Sequence, residues 1–526
     1  MKNLSKIFLA TTLVVFASCE PDFDESVEDF VVTSGNADFS KYVAIGNSLT
    51  AGYTDGALFI SGQENSYPSM LAAQMSAAGG GSFSQPLMPD DIGGFSNLGI
   101  DGKLTLQILN GSLTPVPTSA QSALTPATGS SFNNMGVPGA KSFHLLSNDY
   151  GNPAGIGSYA NPYFVRFASS TSATVLGDAA AQQPTFFTLW IGNNDVLSYA
   201  TSGGLGTNQT GNTDPTTYGG NDISDPQVVA GSIQTILETL VTQGGAKGAI
   251  ANIPSITDIP YFTTVPYAPI TPTALGDNIT TLNQQYSLLN QVFVATGNAD
   301  RQIVFNTDSA SPVVIKDETL TDIGPIITAI ILTNPDLVQY HPLAEMFGDL
   351  YGQVRQATAE DLMVFTSQTV IGRAPGEGDD YSNSILSELM SEYGLPASVL
   401  GQFSVPGVTY PLTDQWVLIP SEISAVTTAT DAYNEQIRAL AIAYDLAFVD
   451  AHRAMQQLKT DAGIVYFGNT YTTTYVSGGA FSLDAVHLSG KGYAVVANYF
   501  IDAINQKYSS TLRSVNPNNY PGVTIP

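Results

Sequence analysis

Four short apolar runs, each stopped by a turn residue, constrain this chain more than any other feature of its sequence. Tyr42-Val43-Ala44-Ile45 ends at Gly46, and Thr185-Phe186-Phe187-Thr188-Leu189-Trp190-Ile191 ends at Gly192. Gly248-Ala249-Ile250-Ala251-Asn252-Ile253 ends at Pro254, and Leu446-Ala447-Phe448-Val449 ends at Asp450. None alternates strictly between apolar and polar residues, so none suits a sheet with one face in water. Runs of this kind mark strands buried on both faces, the condition of a parallel sheet covered by helices. Helical patterns lie between them. One covers 226–243, with Asp225 placed to cap it and Pro226 at its first position. Others cover 426–444 and 493–508. The alternation predicts an α/β protein.

Two stretches break this rhythm. Residues 55–132 are rich in Gly, Ser, Pro and Thr, with 104–109 the only clear apolar segment. Residues 300–425 hold several apolar pieces, among them Ile326, Ile327, Ile330, Ile331 and Leu332, then Leu386, Leu389 and Met390. Both read as insertions in one body spanning 41–515, because the strand pattern resumes after each; 516–526 is a tail. The second insertion is far longer than the usual connection of about 2–6 residues plus a crossover helix. Its apolar clusters need something to pack against, and the surface beside a site at the strand ends is the nearest candidate. The expectation is a cap over the cleft.

The N-terminal segment has a different character. Lys2 and Lys6 precede an apolar run over 7–16, then Ala17, Ser18 and Cys19. A basic start, a short apolar stretch and small residues describe an export signal over 1–18. A membrane-spanning helix needs about 20 apolar residues, more than this run has. The one cysteine of the chain falls where such a signal is cut, which resembles a bacterial lipoprotein signal with Cys19 as the lipidated residue. Glu20, Asp22, Asp24, Glu25, Glu28 and Asp29 follow, with no basic residue before Lys41. A like-charged, Pro-containing stretch stays extended, so 19–40 reads as a tether. Acidic residues behind the cysteine also resemble the surface-export signal of Bacteroidetes-type lipoproteins. The expectation is an exported protein held to the cell envelope, at the outer membrane or cell surface, by its lipid alone.

Charge and composition exclude whole classes of partner. The chain has 45 acidic and 17 basic side chains, a formal charge of −28, which is unsuited to neutralising a nucleic-acid backbone. One Cys excludes a disulfide framework and a Cys-built zinc site, and four His leave little for a His-rich metal centre. The sequence holds no H-E-x-x-H, no P-loop and no G-x-S-x-G. The loop over 203–225 has oxygen donors for a hard cation, but its spacing fits no calcium loop. No metal and no cofactor are expected.

What chemistry remains gathers at the ends of the expected strands, where open α/β sheets place their sites. Ser48, in Gly46-Asn47-Ser48-Leu49-Thr50, directly follows the first strand; taken alone it reads as an N-cap. Asp484 and His487, in Asp484-Ala485-Val486-His487, are spaced so that the carboxylate folds back onto the imidazole. Asp450-Ala451-His452 is a decoy, because a spacing of two points the side chains apart. Asn194, in Gly192-Asn193-Asn194-Asp195, follows the most apolar strand and is a good oxyanion donor there. Gly139, within Asn134-Met135-Gly136-Val137-Pro138-Gly139-Ala140, offers a backbone N–H with no side chain in the way.

These four patches, in this order, resemble the blocks of the SGNH, or GDSL-like, hydrolase family, from residue 41 to about 508 with the two insertions unmatched. The resemblance implies a three-layer α/β/α, flavodoxin-like fold and a serine hydrolase of carboxylic esters needing no cofactor. It implies Ser48 as nucleophile, His487 as general base and Asp484 as its orienting partner. Ser48 N–H, Gly139 N–H and the Asn194 side chain form the implied oxyanion hole. Asn47 stands where the family usually has Asp, outside the implied triad. Asn252-Ile253-Pro254 also resembles a strand end seen in many members. The implied substrate is a small-molecule, lipid or acylated-carbohydrate ester. Two other functions compete: a carbohydrate acetylesterase, and a non-catalytic surface lipoprotein that binds glycan or lipid. Activity on p-nitrophenyl esters of graded length beside acetylated xylan discriminates among them.

Overall fold

The computed structural model describes residues 31–109, 112–376 and 380–526. The expected signal peptide, Cys19 and the first part of the tether lie outside the described residues. Residues 33–40, expected as the end of that tether, are laid against the body. Asn36 N–H donates to the Tyr508 carbonyl at 2.7 Å, and buried Phe39 packs edge-on to Phe186 at 4.9 Å. Among the described residues, no helix is long and apolar enough to cross a membrane.

Five parallel strands form the centre: β1 (Tyr42–Gly46), β2 (Asn134–Gly136), β3 (Phe186–Trp190), β4 (Lys247–Ala251) and β5 (Ala447–Val449). Their order is β2-β1-β3-β4-β5, and every adjacent pair is parallel. Every residue of β1 and β3 is buried. Successive side chains point to opposite faces, so both faces are covered, as the unbroken apolar runs require. The apolar runs account for four strands. The fifth, Asn-Met-Gly, is too short and too polar to announce itself; its backbone pairing with Ala44, Ile45 and Gly46 makes it a strand.

The helices that cover the sheet include α1 (Tyr67–Ser76), α2 (Asn194–Thr201), α3 (Pro226–Leu237), α4 (Pro420–Ala443), α5 (Ala451–Leu458) and α6 (Gly490–Tyr508). Asp225 caps α3 as its position implies, accepting from Gln227 N–H at 2.7 Å. Helix α1 falls inside the stretch read as an insertion, yet Tyr67, Met70, Leu71 and Met75 belong to the main core, with Tyr67 stacked on Phe500 of α6 at 4.7 Å. That part of 55–132 is therefore core; the rest includes an antiparallel hairpin, Leu104–Leu109 with Ser112–Pro117.

The chain between β4 and β5 builds a second core, from Val265 to Ile419, that starts earlier than the sequence implies. Helix Asn278–Ala295 supplies Tyr286, Leu289 and Phe293, which meet Ile327, Ile331 and Tyr351. Ile385 and Leu389 pack with Met346, Leu400 and Phe403. Buried Arg301 donates to the carbonyls of Val354, Thr321 and Gly352 at 3.0, 3.1 and 2.5 Å. Of the apolar clusters that prompted the expectation of a cap, Ile327, Ile331 and Leu389 are thus buried within this second body, while Ile326, Leu332 and Met390 remain exposed. Phe365 of this stretch lies 4.8 Å from the ring of Tyr475, in the loop that follows β5 and α5.

Glu422, in the first turn of α4, joins this second core to the first. It accepts from Ile419 N–H at 2.9 Å, and an oxygen from each of Glu318, Asp414 and Glu422 lies within 4.8 Å of the others. Burial above all, then the charges of Glu318, Asp414 and Asp317, push the Glu422 carboxyl up to about 8. The folded chain therefore holds this proton more tightly than the unfolded chain, whose carboxyl titrates near 4.5. Stability from this group is complete below that value and is lost as pH rises through about 8. The melting temperature should fall from about pH 5 to about pH 9, with a cost on the order of 3 kcal/mol, and Glu422→Gln should flatten that fall. An equal slope in both proteins, followed by calorimetry, contradicts this account.

Candidate active site

The order of the strands reverses between β1 and β3: the chain leaves β1 for β2 on one side and later adds β4 and β5 on the other. Crevices open at such a reversal, beyond the carboxyl ends of the two strands. Here those ends are Gly46-Asn47-Ser48 and Trp190 to Asn194. A side chain at Gly46 would lie 2.2 Å from Thr50 Oγ1 and 2.3 Å from the Trp190 carbonyl oxygen, so the turn out of β1 demands glycine.

Asn47 ties the two strand ends together. Its Oδ1 accepts from Leu49 N–H at 3.0 Å and caps the short helical turn Ser48–Ala51, while its Nδ2 donates to Asn193 Oδ1 at 3.0 Å. A carboxylate could do the first, and would keep the second only if the Asn193 amide turned to donate. The capping role falls to Asn47, which leaves the Ser48 hydroxyl free. Ser48 Oγ lies 2.9 Å from His487 Nε2.

His487 is placed by a tight turn. Ala485, buried and with φ of +62°, reverses the chain so that Asp484 and His487 face each other, Nδ1 to Oδ2 at 2.8 Å. Asp484 is among the most heavily hydrogen-bonded carboxylates of the fold. Its Oδ1 accepts from Ser482 Oγ, Val486 N–H and His487 N–H at 3.0, 3.0 and 2.8 Å, and its Oδ2 also accepts from Gly56 N–H at 2.8 Å. Burial alone would raise this carboxyl, but the imidazole and these donors outweigh burial and hold it well below the usual carboxylate range. Asp484 thus stays ionised, and its Oδ2 fixes the tautomer with the proton on Nδ1 and the lone pair of Nε2 toward Ser48. The Tyr53 ring packs beside the imidazole at 4.6 Å.

Asn194 opens α2. One of its amide hydrogens goes to the Ala140 carbonyl at 2.9 Å, and an amide has a second to offer. The next residue, Asp195, is buried and accepts from both the N–H and the hydroxyl of Ser142, at 2.7 and 2.9 Å. Those bonds brace the segment that carries Gly139, whose φ of +79° is a glycine conformation. Among the described residues, neither Ser48 N–H nor Gly139 N–H has an acceptor. Ser48, Asn194 and His487 line one apolar cavity; Gly139 lines a separate, wider and open cleft.

The remaining sequence candidates have structural roles. Asp450 Oδ1 accepts from Asn252 Nδ2 at 2.9 Å and from Arg453 N–H at 3.1 Å, and Asn252 Oδ1 accepts from His452 N–H at 2.9 Å. The decoy pair and Asn252 together join the ends of β4 and β5. In the loop over 203–225, Asp222 accepts from Thr207 N–H, Gln209 Nε2 and Gly219 N–H, so its oxygens serve the loop itself. The convergent acidic groups among the described residues are Glu318, Asp414 and Glu422, which do not line the Ser48 cavity.

Two supports of the site had no sequence signal. Ser482 Oγ accepts from Asp55 N–H at 2.9 Å, and Asp55 Oδ1 accepts from Leu483 N–H at 2.9 Å. Burial raises the Asp55 carboxyl to about 6. Compared with known proteins, the chain matches no protein-family model and no curated protein.

Replacing Asp484 by Asn puts an NH2 against N–H donors that now meet an oxygen. Leaving one such buried donor unpaired costs about 1–3 kcal/mol. Asp484→Asn should therefore lower the melting temperature as well as disorder the imidazole; a variant as stable as the parent contradicts the view that this carboxylate organises the turn.

Proposed function

We propose that this protein is an SGNH-type serine hydrolase of carboxylic esters, on a three-layer, flavodoxin-like α/β/α fold. The observation that carries the reading is the series Ser48 Oγ, His487 Nε2 at 2.9 Å, and Asp484 on His487 Nδ1 at 2.8 Å. A serine hydroxyl is a poor nucleophile until a neighbouring imidazole takes its proton. The strand order 2-1-3-4-5, which doubly wound flavodoxin-like sheets share, supports the fold assignment.

The reaction follows from those contacts. As Ser48 Oγ bonds to the ester carbonyl carbon, its proton passes to His487 Nε2 and the carbonyl electron pair moves onto oxygen. Ser48 N–H, Gly139 N–H and the second Asn194 N–H are the donors available to that oxyanion. Collapse of the adduct breaks the bond to the alcohol oxygen, which leaves with the proton from His487, and the acyl group stays on Ser48. Water then attacks the acyl carbon, giving its proton to His487. When the second adduct collapses, that proton returns to Ser48 Oγ and the acid departs. Asp484 keeps the imidazole oriented and balances its charge without accepting the proton.

Deacetylation of carbohydrate is a second reading, favoured by the wide cleft beside Gly139, where Tyr150, Tyr159 and Tyr218 stand with Asn148 and Asp149. Aromatic rings with polar neighbours suit a sugar as the alcohol part. Localisation is part of the proposal: an exported protein, lipidated on Cys19 and held at the outer membrane or cell surface.

Ser48→Ala and His487→Ala should each reduce hydrolysis of p-nitrophenyl acetate to background with the fold intact. Asn194→Ala should lower kcat by about 10²–10³ with KM little changed, because an oxyanion donor acts in the transition state. Full activity in Ser48→Ala contradicts the assignment. For localisation, Cys19→Ser should move the expressed protein from membranes to the soluble fraction, since stable attachment by lipid needs more than one chain or signal and a triacylated Cys supplies it. Unchanged membrane association of that variant rejects the lipid anchor.

A further inference from the structure

The turn that carries Asp484 and His487 directs the N–H groups of Val486 and His487 to the Asp484 carboxylate. Two of its carbonyls go to partners outside the turn. The Leu483 carbonyl accepts from the Tyr475 hydroxyl at 2.7 Å, and that of Ala485, the residue with positive φ, accepts from Tyr261 N–H at 2.9 Å. Tyr261 belongs to the helical turn Pro260–Thr263, on the path from β4 to the second core. The first N–H groups of a helix have no partner within it, and Pro260 brings none, so Tyr261 N–H is available to bond outside.

Tyr261 reaches the other half of the site as well. Its hydroxyl donates to the Thr201 carbonyl at 3.3 Å, at the end of α2, the helix that Asn194 opens. Ile256 and Ile259, just before it in sequence, line the Ser48 cavity. Phe365, buried and contributed by the insertion, joins the two tyrosines: its ring centre lies 4.8 Å from that of Tyr475 and 6.1 Å from that of Tyr261. Both separations fall within the range of about 4.5–7 Å over which aromatic pairs attract. The three residues thus connect the second body to two carbonyls of the catalytic turn.

We propose that the second body braces the catalytic turn, with Phe365, Tyr475 and Tyr261 as positioning residues that hold the His487 imidazole at its distance from Ser48. The proposal rests on the ester-hydrolase reading of Ser48. None of the three lines the Ser48 cavity, so each works through the backbone of the turn. Ala485 holds a positive φ without being glycine, a costly conformation that the bond from Tyr261 to its carbonyl helps to fix. A misplacement of about 1 Å at a reacting group can cost about 10²-fold in rate. Here the serine and the imidazole come from segments 439 positions apart, which makes such a brace consequential.

Tyr475→Phe removes one oxygen and Phe365→Ala one ring, and both are tested in the full chain with p-nitrophenyl acetate. Rates are taken per site titrated with a fluorophosphonate, so that an unfolded fraction does not count. kcat should fall about fivefold in Tyr475→Phe and about 10- to 10²-fold in Phe365→Ala, with KM within about twofold of the parent. Phe365→Leu should recover most of the loss. Leu389→Ala opens a cavity in a cluster of the second body that contains none of these residues; it should lower the melting temperature and leave kcat unchanged. The low-field proton resonance of His487 Nδ1–H, identified by its loss in His487→Ala, reports on the turn without any ester and should be broadened in both brace variants. Should Phe365→Ala fail to fold, Tyr475→Phe decides alone. Parent kcat per titrated site in the brace variants with that resonance unchanged, or an equal loss of kcat in Leu389→Ala, overturns the brace and leaves the hydrolase standing. A parent that cleaves no ester, with the resonance lost in the brace variants, supports the brace and rejects the hydrolase reading.

Discussion

Everything in this fold that bears on chemistry depends on one reversal of strand order. Between β1 and β3 two parallel neighbours send their connections in opposite directions, and helices cannot cover the gap that results. The backbone ends of both strands are exposed there to one another's side chains. Asn47 spans them by donating to Asn193, and the residues on either side of that bridge, Ser48 and Asn194, inherit fixed positions at the mouth of a cavity. A sheet with its order unbroken would bury these residues or spread them along an edge.

The second constraint is a carboxylate taken out of water. Burial of Asp484 is unfavourable by itself, and the fold offsets it with donors drawn from distant parts of the chain. Gly56 N–H reaches it from 428 positions away, and Ser482, which it also engages, is held by Asp55 from 427 positions away. The turn over 482–487 is therefore clamped to the loop that follows Ser48. This is how two segments at opposite ends of the sequence keep a serine hydroxyl and an imidazole in hydrogen-bond contact.

How much of this was legible depended on whether the signal was local. Strands β1, β3, β4 and β5 could be read because burial on both faces writes itself as an unbroken apolar run. Strand β2 could not, since three residues of Asn-Met-Gly become a strand only by pairing with β1. Ser48, His487 and Asp484 stood out by position at strand and loop ends and by the scarcity of His, and the structure brings them into contact. Asp55 and Ser482 carried no signal, because their meaning lies in a partner more than 400 residues away. The insertion shows how far such a signal goes. Of its isoleucine and leucine clusters, Ile327, Ile331 and Leu389 are buried in the insertion's own core, which the helix at Asn278–Ala295 helps to build, while Ile326, Leu332 and Met390 stay exposed.

The account stands or falls on Ser48 being a nucleophile that His487 activates. A fluorophosphonate probe reports this directly, because it bonds covalently to a serine whose proton is removed by a neighbouring base and leaves ordinary serines alone. Peptide mapping after labelling should find one modified residue, Ser48, with labelling lost in His487→Ala. Failure to label Ser48 in the folded parent protein, or equal labelling in the His487→Ala variant, would contradict it.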